Sequence, residues 1–153
     1  MHSYINKQNE KNMRKNKMGY YTNYELYVEE DMNRPQLKNI IEKILEWNAK
    51  DYEFLYPFIM ANELDLGDVT NLVLPKLNAQ NRVFKFEPYD EAKWYNHEEE
   101  MQRLSKEFPE TLFYLHGEGE ETGDIWDKYF LNGKIQKCYA KIVIPDFDIT
   151  KLE

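Results

Sequence analysis

The sequence predicts an α+β fold, a two-layer sandwich whose antiparallel sheet of four to five strands carries two main helices on one face. Segments with the period of two typical of half-buried strands alternate with two segments whose apolar residues recur at helical spacing. Near the end of the chain, Asn132-Gly133 separates two apolar segments, which is the signature of a type I′ hairpin. The predicted order strand-helix-strand-helix-strand-strand-strand favours a ferredoxin-like arrangement.

The length of 153 residues predicts a single domain with a hydrophobic core of its own. Residues 1–17 are polar, show no periodicity and carry a net charge of +4, which predicts a mobile basic tail. The rest of the chain carries a net charge of −12. We therefore expect one acidic α+β domain over residues 18–153.

The first predicted strand and helix follow directly after this tail. Residues Tyr20–Glu29 alternate between apolar and polar positions, as a strand with one buried face does. Asn33-Arg34-Pro35 predicts the start of a helix, since proline is favoured in the first helical turn. The amphipathic helix is expected to end near Trp47 or Asn48, with an apolar stripe made of Leu37, Ile40, Ile41, Ile44 and Leu45.

Residues 51–81 are predicted to form a short helical insertion that covers one edge or end of the core. Its early aromatic and aliphatic residues fit a helix, although Pro57 disfavours a long straight one. Gly67-Asp68 interrupts that segment, and Pro75 interrupts the apolar run that follows it.

The second half of the domain begins with a predicted strand over Arg82–Glu87, with Phe84 and Phe86 on its core face. Asn96 and Glu99 stand at the positions of a capping box, which predicts a helix start. The apolar side of this helix is supplied by Met101, Leu104 and Phe108, and Pro109 ends it. Thr111–His116 is the next predicted strand.

The hairpin permits a prediction for its two faces. With a two-residue turn, residues whose numbers sum to 265 oppose each other in the strands Ile125–Leu131 and Lys134–Ile144. One face is apolar away from the turn and is predicted to be the core; it includes Ile125, Tyr129, Leu131, Cys138, Ala140, Ile142 and Ile144. The opposite face is predicted to point outward, with aromatic rings among lysines at Trp126, Lys128, Phe130, Lys137 and Tyr139.

Such an outward face has three interpretations. Aromatic rings can anchor a protein partner. Rings and cations together can also form a stacking platform for single-stranded nucleic acid, although the acidity of the domain disfavours that alternative. The third interpretation is structural, because cross-strand aromatic pairs such as Trp126–Tyr139 stabilise a hairpin by themselves.

The glycine-rich segment between Gly117 and Asp124 concentrates four carboxylates: Glu118, Glu120, Glu121 and Asp124. Carboxylates on such a loop could hold a divalent cation in a metal-dependent enzyme, but the spacing does not match a calcium-binding loop. A patch offered to a basic partner is the favoured interpretation, and no metal or cofactor is expected. His97 lacks the second histidine of a zinc-protease motif, because Met101 stands at that position.

The composition indicates in which cellular compartment the protein acts and whether disulfides stabilise it. A single cysteine, Cys138, excludes an internal disulfide framework. The sequence contains neither an apolar run long enough to span a membrane nor the apolar core of a secretory signal. We therefore expect a cytoplasmic protein that does not act at a membrane.

Three motifs resemble a family of small uncharacterised proteins from bacteriophages, prophages and related mobile elements. The motifs are Gly19-Tyr20-Tyr21-Thr22, Lys93-Trp94-Tyr95-Asn96-His97-Glu98-Glu99, and Gly117-Glu118-Gly119-Glu120-Glu121-Thr122-Gly123-Asp124-Ile125-Trp126. The resemblance covers the first strand and the chain after about Lys93. It implies a mobile-element setting, in which small acidic proteins often inhibit a host protein. The expected function is that of a non-enzymatic inhibitor or regulator that binds a host or mobile-element protein through an acidic, tyrosine-rich surface; the alternative is a nucleic-acid or nucleotide binder.

Overall fold

The computed structural model describes residues 19–59, 66–72 and 80–153, so the predicted tail at 1–17 lies outside the described residues. These described residues form an α+β fold, with one open antiparallel sheet of six strands and two helices. The elements are β1 (Thr22–Asp31), α1 (Leu37–Lys50), β2 (Asp68–Leu72), β3 (Asn81–Glu87), α2 (His97–Glu107), β4 (Leu112–Gly119), β5 (Ile125–Leu131) and β6 (Lys134–Tyr139), with 3-10 helices at Tyr56–Phe58 and Ile149–Lys151. Within the described ranges, neither α1 nor α2 has the length and apolar character of a membrane-spanning helix.

The strands lie in the order β2-β3-β1-β4-β5-β6, and each neighbouring pair is antiparallel. β3 and β4 flank β1 and therefore run parallel to each other, and α2 connects them in one split β-α-β unit. From β4 onward the chain forms a simple meander. The described part of the sheet has six strands, more than the four to five predicted. Its strand order does not confirm the ferredoxin-like arrangement.

The additional strand is β2, in the region where a helical insertion is predicted. The described residues of that region form the 3-10 helix Tyr56–Phe58 and the strand β2, which pairs with β3. Most side chains of β2 are exposed, so the strand lacks the alternating burial that sequence patterns detect. Residues 60–65 and 73–79 lie outside the described part of the chain.

The strand β1 has the predicted alternation, although it begins and ends two residues later than expected. Tyr24, Leu26 and Val28 are all buried. The strand is paired on both edges, with β3 and with β4, which makes it the centre of the sheet. The buried side chains of β1 join one cluster with Ile40 and Ile44 from α1 and with residues of α2, so both helices cover the same sheet face.

The start of α1 depends on a contact that the sequence does not reveal. Glu30, buried at the end of β1, accepts hydrogen bonds from the backbone N–H groups of Gln36 at 2.7 Å and Leu37 at 2.8 Å. The first N–H groups of a helix have no partner within the helix, and a carboxylate there also interacts favourably with the helix dipole. Glu30 thus caps α1 from the neighbouring strand, and it lies 3.8 Å from the Arg82 guanidinium.

Most of the second half follows the prediction. Phe86 is buried in the core and Phe84 packs against it half-buried. Met101 and Leu104 of α2 are buried, and Phe108, the C-cap residue that follows the helix, is partly buried. Asn96 is the N-cap residue, but its side chain makes no cap hydrogen bond, so the predicted capping box does not form.

The predicted hairpin register is confirmed. Leu131 opposes Lys134 and Trp126 opposes Tyr139, and the turn has positive φ at Asn132 (48°) and Gly133 (77°), as a type I′ turn requires. β6 ends at Tyr139 and does not reach Ile144. The reason is that β5 begins at Ile125, whose carbonyl accepts the Ala140 N–H, so the residues after 140 have no facing strand.

Replacing Gly133 with valine is expected to lower the free energy of unfolding by about 1–3 kcal/mol, because a β-branched residue is strained at positive φ. The atoms nearest to a Cβ at this position belong to the Lys106 side chain, at 3.4 Å, so the loss arises from the backbone conformation and not from a severe clash. Urea denaturation measures the change. Gly133→Asn is the control and should be tolerated better, since asparagine adopts left-handed backbone angles more readily than valine does. If Gly133→Val were as stable as the wild type, the turn would have to lie elsewhere.

Candidate functional site

The two faces of the hairpin are the reverse of the prediction. Trp126 and Lys128 are each 6% exposed and Phe130 is 0% exposed, so the face predicted to point outward is the core. The pairing with β4 explains the reversal, because Phe130 lies beside the buried Phe113. Trp126 crosses Gly117, where a Cβ would lie 2.2 Å from the indole ring. A partner therefore cannot use Trp126 or Phe130 as a surface anchor.

Lys128 is accommodated in this core face by a polar cluster. Its ammonium lies 2.7 Å from His97 Nε2, 3.5 Å from Glu98 and 4.1 Å above the Trp126 ring. Burial, together with the nearby Lys128 charge, lowers the pKa of His97 to about 4, so the ring is neutral. The Nδ1 atom is then assigned as the donor to the Trp94 carbonyl at 2.8 Å, which leaves Nε2 to accept from Lys128. The cluster holds a buried lysine in place, and Lys128 is a structural residue.

The other two residues of the predicted face lie on β6 and remain accessible. Lys137 is exposed and forms an ion pair with Glu98 at 2.9 Å. Tyr139 is 59% exposed at the end of the strand. Unlike Trp126 and Phe130, these side chains are available to a partner.

The acidic segment 117–124, which we call the acidic turn, is partly strand and partly turn. β4 continues to Gly119, so Glu118 lies on the strand, and Glu120 and Glu121 are exposed beyond it. Asp124 accepts a hydrogen bond from the Tyr20 hydroxyl at 2.7 Å, and the same hydroxyl accepts from the Glu121 N–H at 2.9 Å. Within residues 19–59, 66–72 and 80–153, no three or more His, Cys, Asp or Glu side chains are arranged to hold a metal ion.

His116, next to this turn, joins two carboxylates. Its Nδ1 lies 2.7 Å from Asp127 and its Nε2 lies 3.2 Å from Glu118. Partial burial alone lowers the pKa of His116, but the hydrogen bonds and charges of these carboxylates outweigh burial and raise it. His116 therefore gains a positive charge more readily than an isolated histidine and connects β4 to β5 on the face away from the helices.

That outer face of the sheet carries a row of tyrosines. Tyr27 on β1 stacks on Tyr114 on β4 with ring centroids 4.6 Å apart and planes 5° apart, and Tyr114 lies 5.4 Å from Tyr129 on β5. The buried Tyr114 hydroxyl finds no hydrogen-bond partner in the described part of the chain. Glu25 and Glu87 flank the row, and both pair with Lys85. This face is tyrosine-rich and acidic. In β5 and the strand that follows it, however, the sequence pattern predicts that this same face is the core.

The residues after β6 form the most apolar exposed feature of the described chain. We call residues 140–153 the apolar arm. The arm continues from β6 without regular structure and ends in the 3-10 helix, which Asp148 caps through the Thr150 N–H and hydroxyl. Its large apolar side chains are 66–86% exposed: Ile142, Val143, Ile144, Phe147, Ile149 and Leu152. Sequence periodicity predicted Ile142 and Ile144 in the core, which the structure contradicts.

The arm and the acidic turn form one continuous end of the molecule. Ile142 lies beside Gly123, because a Cβ on that glycine would be 2.8 Å from Ile142 Cδ1. Tyr139, the last residue of β6, precedes the arm, and Ile125 links the arm to the turn through its bond to Ala140. Glu118, Glu120, Glu121, Asp124 and Tyr139 thus belong to this end of the molecule. Lys137 lies within β6 and pairs with Glu98, and Trp126, Lys128 and Phe130 are buried.

No family model, curated protein or solved structure matches this chain.

Proposed function

We propose that this protein is a non-enzymatic interaction protein that binds another protein through the apolar arm and the adjoining acidic turn. The observation that carries the proposal is the exposure of six large apolar side chains on one segment. Burying one such side chain contributes about 1.5–3 kcal/mol, and contiguous exposed apolar surface marks interaction sites. A partner with an apolar groove would bury what the domain itself leaves exposed.

The acidic turn indicates which charges should border the apolar groove of the partner. Glu120 and Glu121 are exposed in the acidic turn, whose Gly123 lies beside Ile142 of the arm, and the chain carries a net charge of −8. Carboxylates at the edge of an interface speed association with a positively charged partner and disfavour acidic competitors. We therefore propose a partner whose apolar groove is bordered by lysine or arginine side chains.

The resemblance to phage and prophage proteins supports a cytoplasmic setting and a regulatory role. In that setting the protein would act by occupying a surface of a host or mobile-element protein. The acidic, tyrosine-rich outer face around Tyr27, Tyr114 and Tyr129 is the alternative surface for the same function. The nucleic-acid alternative loses its support, because it depended on an outward face of aromatic rings and lysines and Trp126, Lys128 and Phe130 of that face are buried.

Affinity capture from a lysate of the native host tests the proposal. The double variant Ile144→Asp/Phe147→Asp places two charges on the arm without touching the core. Leu131→Asp is the matched control, because Leu131 is also an exposed apolar residue but lies at the opposite end of β5. We expect a protein that wild type and Leu131→Asp retain and that the arm variant loses. Equal retention by the arm variant would refute the arm as the binding surface.

A further inference from the structure

A cavity of about 600 Å³ lies between the end of α1, the segment 51–59 and the start of α2, apart from the apolar arm. Aromatic rings make up much of its wall. Its lining residues include Asn48, Tyr52, Tyr56, Trp94, Tyr95 and Glu100. This volume is within the range of sites that bind small molecules or single side chains of a partner.

One carboxylate is fixed among these rings. Glu100 Oε1 accepts a hydrogen bond from the Leu55 N–H at 2.6 Å, and Oε2 accepts one from Trp94 Nε1 at 2.8 Å. Two donors hold the carboxylate in a single orientation, yet an ionised carboxylate has about four acceptor positions. Glu100 can therefore accept further hydrogen bonds from a group that enters the cavity.

The electrostatic surroundings of Glu100 favour a positive guest. The charges that act most strongly on it are the carboxylates of Asp51 and Glu53, and Glu53 also lines the cavity. Lys93 also lines the cavity, and its ammonium lies 4.8 Å above the ring of Tyr21. An anion would meet the carboxylates of Glu53 and Glu100 in this lining, whereas a cation would meet one oriented carboxylate and several aromatic rings.

We propose that this aromatic cavity binds an alkylammonium group, with Glu100 as its counter-ion and Tyr52, Tyr56 and Tyr95 as its aromatic walls. The ammonium can come from a free amine or from a lysine side chain of a polypeptide. Either source supplies N–H donors for Glu100 and a cation for the rings. The site is independent of the arm, so failure of one proposal leaves the other intact.

Nuclear magnetic resonance titration tests this site, with the Trp94 indole N–H as the reporter because it is bonded to Glu100. The probes are n-butylammonium, N-acetyl-lysine methylamide and neutral n-butanol at about pH 8. We expect saturable shifts with both ammonium probes and much weaker binding of butanol. Tighter binding of the lysine derivative assigns the site to a polypeptide, and equal binding assigns it to free amines. Butanol binding as tightly as butylammonium, or no shift with either ammonium probe, would overturn the proposal.

A variant at the rim separates binding from folding. Tyr52 is 74% exposed, so Tyr52→Ala should leave the thermal midpoint unchanged while weakening butylammonium binding about tenfold, through loss of a cation–π contact. Tyr139→Ala is the matched control, because Tyr139 is also exposed but does not line the cavity, and it should bind as wild type does. Unchanged butylammonium affinity in Tyr52→Ala would contradict the assignment of the cavity.

Discussion

Replacing Phe130 with alanine is expected to lower the free energy of unfolding by about 3–5 kcal/mol, the usual cost of removing a fully buried aromatic ring. Phe130 is completely buried on β5 and lies beside Phe113 of β4. The ring belongs to the cluster that both helices cover, so its removal leaves a cavity that the sheet and helices cannot close without moving. Denaturant unfolding monitored by circular dichroism measures the loss.

The neighbouring position supplies the control for this prediction. Leu131 lies next to Phe130 but faces the other side of the sheet and is exposed. Leu131→Ala should therefore change stability by less than about 1 kcal/mol. If Phe130→Ala were tolerated and Leu131→Ala unfolded the protein, the core face of β5 would be the one that the sequence pattern predicts. That result would contradict the burial of Phe130.

Replacing Glu30 with alanine is expected to destabilise the fold by about 2–4 kcal/mol. The change removes the acceptor of two backbone hydrogen bonds at the start of α1 and leaves Arg82 without the carboxylate beside it. Hydrogen bonds to charged groups contribute about 1.5–3 kcal/mol, and loss of a helix cap costs about 1 kcal/mol. Thermal and urea unfolding should show the loss.

Glu42→Ala is the matched control for Glu30→Ala. Glu42 lies on α1 in an exposed ion pair with Lys38 at 3.9 Å, an interaction that contributes little in water. Its removal should change stability by less than about 0.5 kcal/mol. Similar effects of the two substitutions would mean that Glu30 acts as an ordinary surface charge and does not cap the helix.

Stability should also depend on pH through Glu100. Burial raises the pKa of Glu100 to about 7, despite the hydrogen bonds from Leu55 and Trp94. Because this pKa exceeds the ordinary value of about 4.3, the folded state favours the protonated form. The stability that results is complete below about pH 4 and is lost as pH rises through about 7.

Glu100→Gln should remove this contribution. Glutamine stays neutral, so the variant should lose less stability than wild type when the pH rises from about 5 to about 8. Glu99→Gln, at an exposed neighbour on α2, should keep the wild-type pH dependence. Thermal midpoints measured across this range provide the test, and parallel pH profiles for wild type and Glu100→Gln would contradict it.

Local patterns predicted the parts of this fold that depend on neighbouring residues. The Asn132-Gly133 turn determines the hairpin register by itself, and the alternation of β1 and the apolar stripe of α1 are strong enough to be recognised alone. The choice of the core face of β5 depends instead on its pairing with β4, where Gly117 leaves space for Trp126. The sequence favoured the wrong face because Ala140, Ile142 and Ile144 made it apolar away from the turn, whereas β6 ends at Tyr139 and these residues lie outside the sheet.

The features that the sequence did not predict depend on contacts between distant residues. β2 has mostly exposed side chains, so its only signature is its pairing with β3. The Glu100 site joins residues 45 positions apart through the Leu55 N–H. The apolar arm contains β-branched residues that favour a strand, but β5 is too short to pair with them. The acidic turn was predicted from its carboxylates alone, and its role as a binding surface stays a prediction.

Amide hydrogen exchange on the protein with and without its captured partner tests most directly that the apolar arm is the binding surface. The arm's side chains are 66–86% exposed and, apart from the 3-10 helix, it has no regular structure, so its amides should exchange rapidly in the free protein. We expect the partner to slow exchange across residues 142–152 and in the acidic turn, while β5 stays unchanged. Protection confined to the strands that carry Tyr27, Tyr114 and Tyr129, with no change in the arm, would contradict this account and assign binding to the outer face of the sheet.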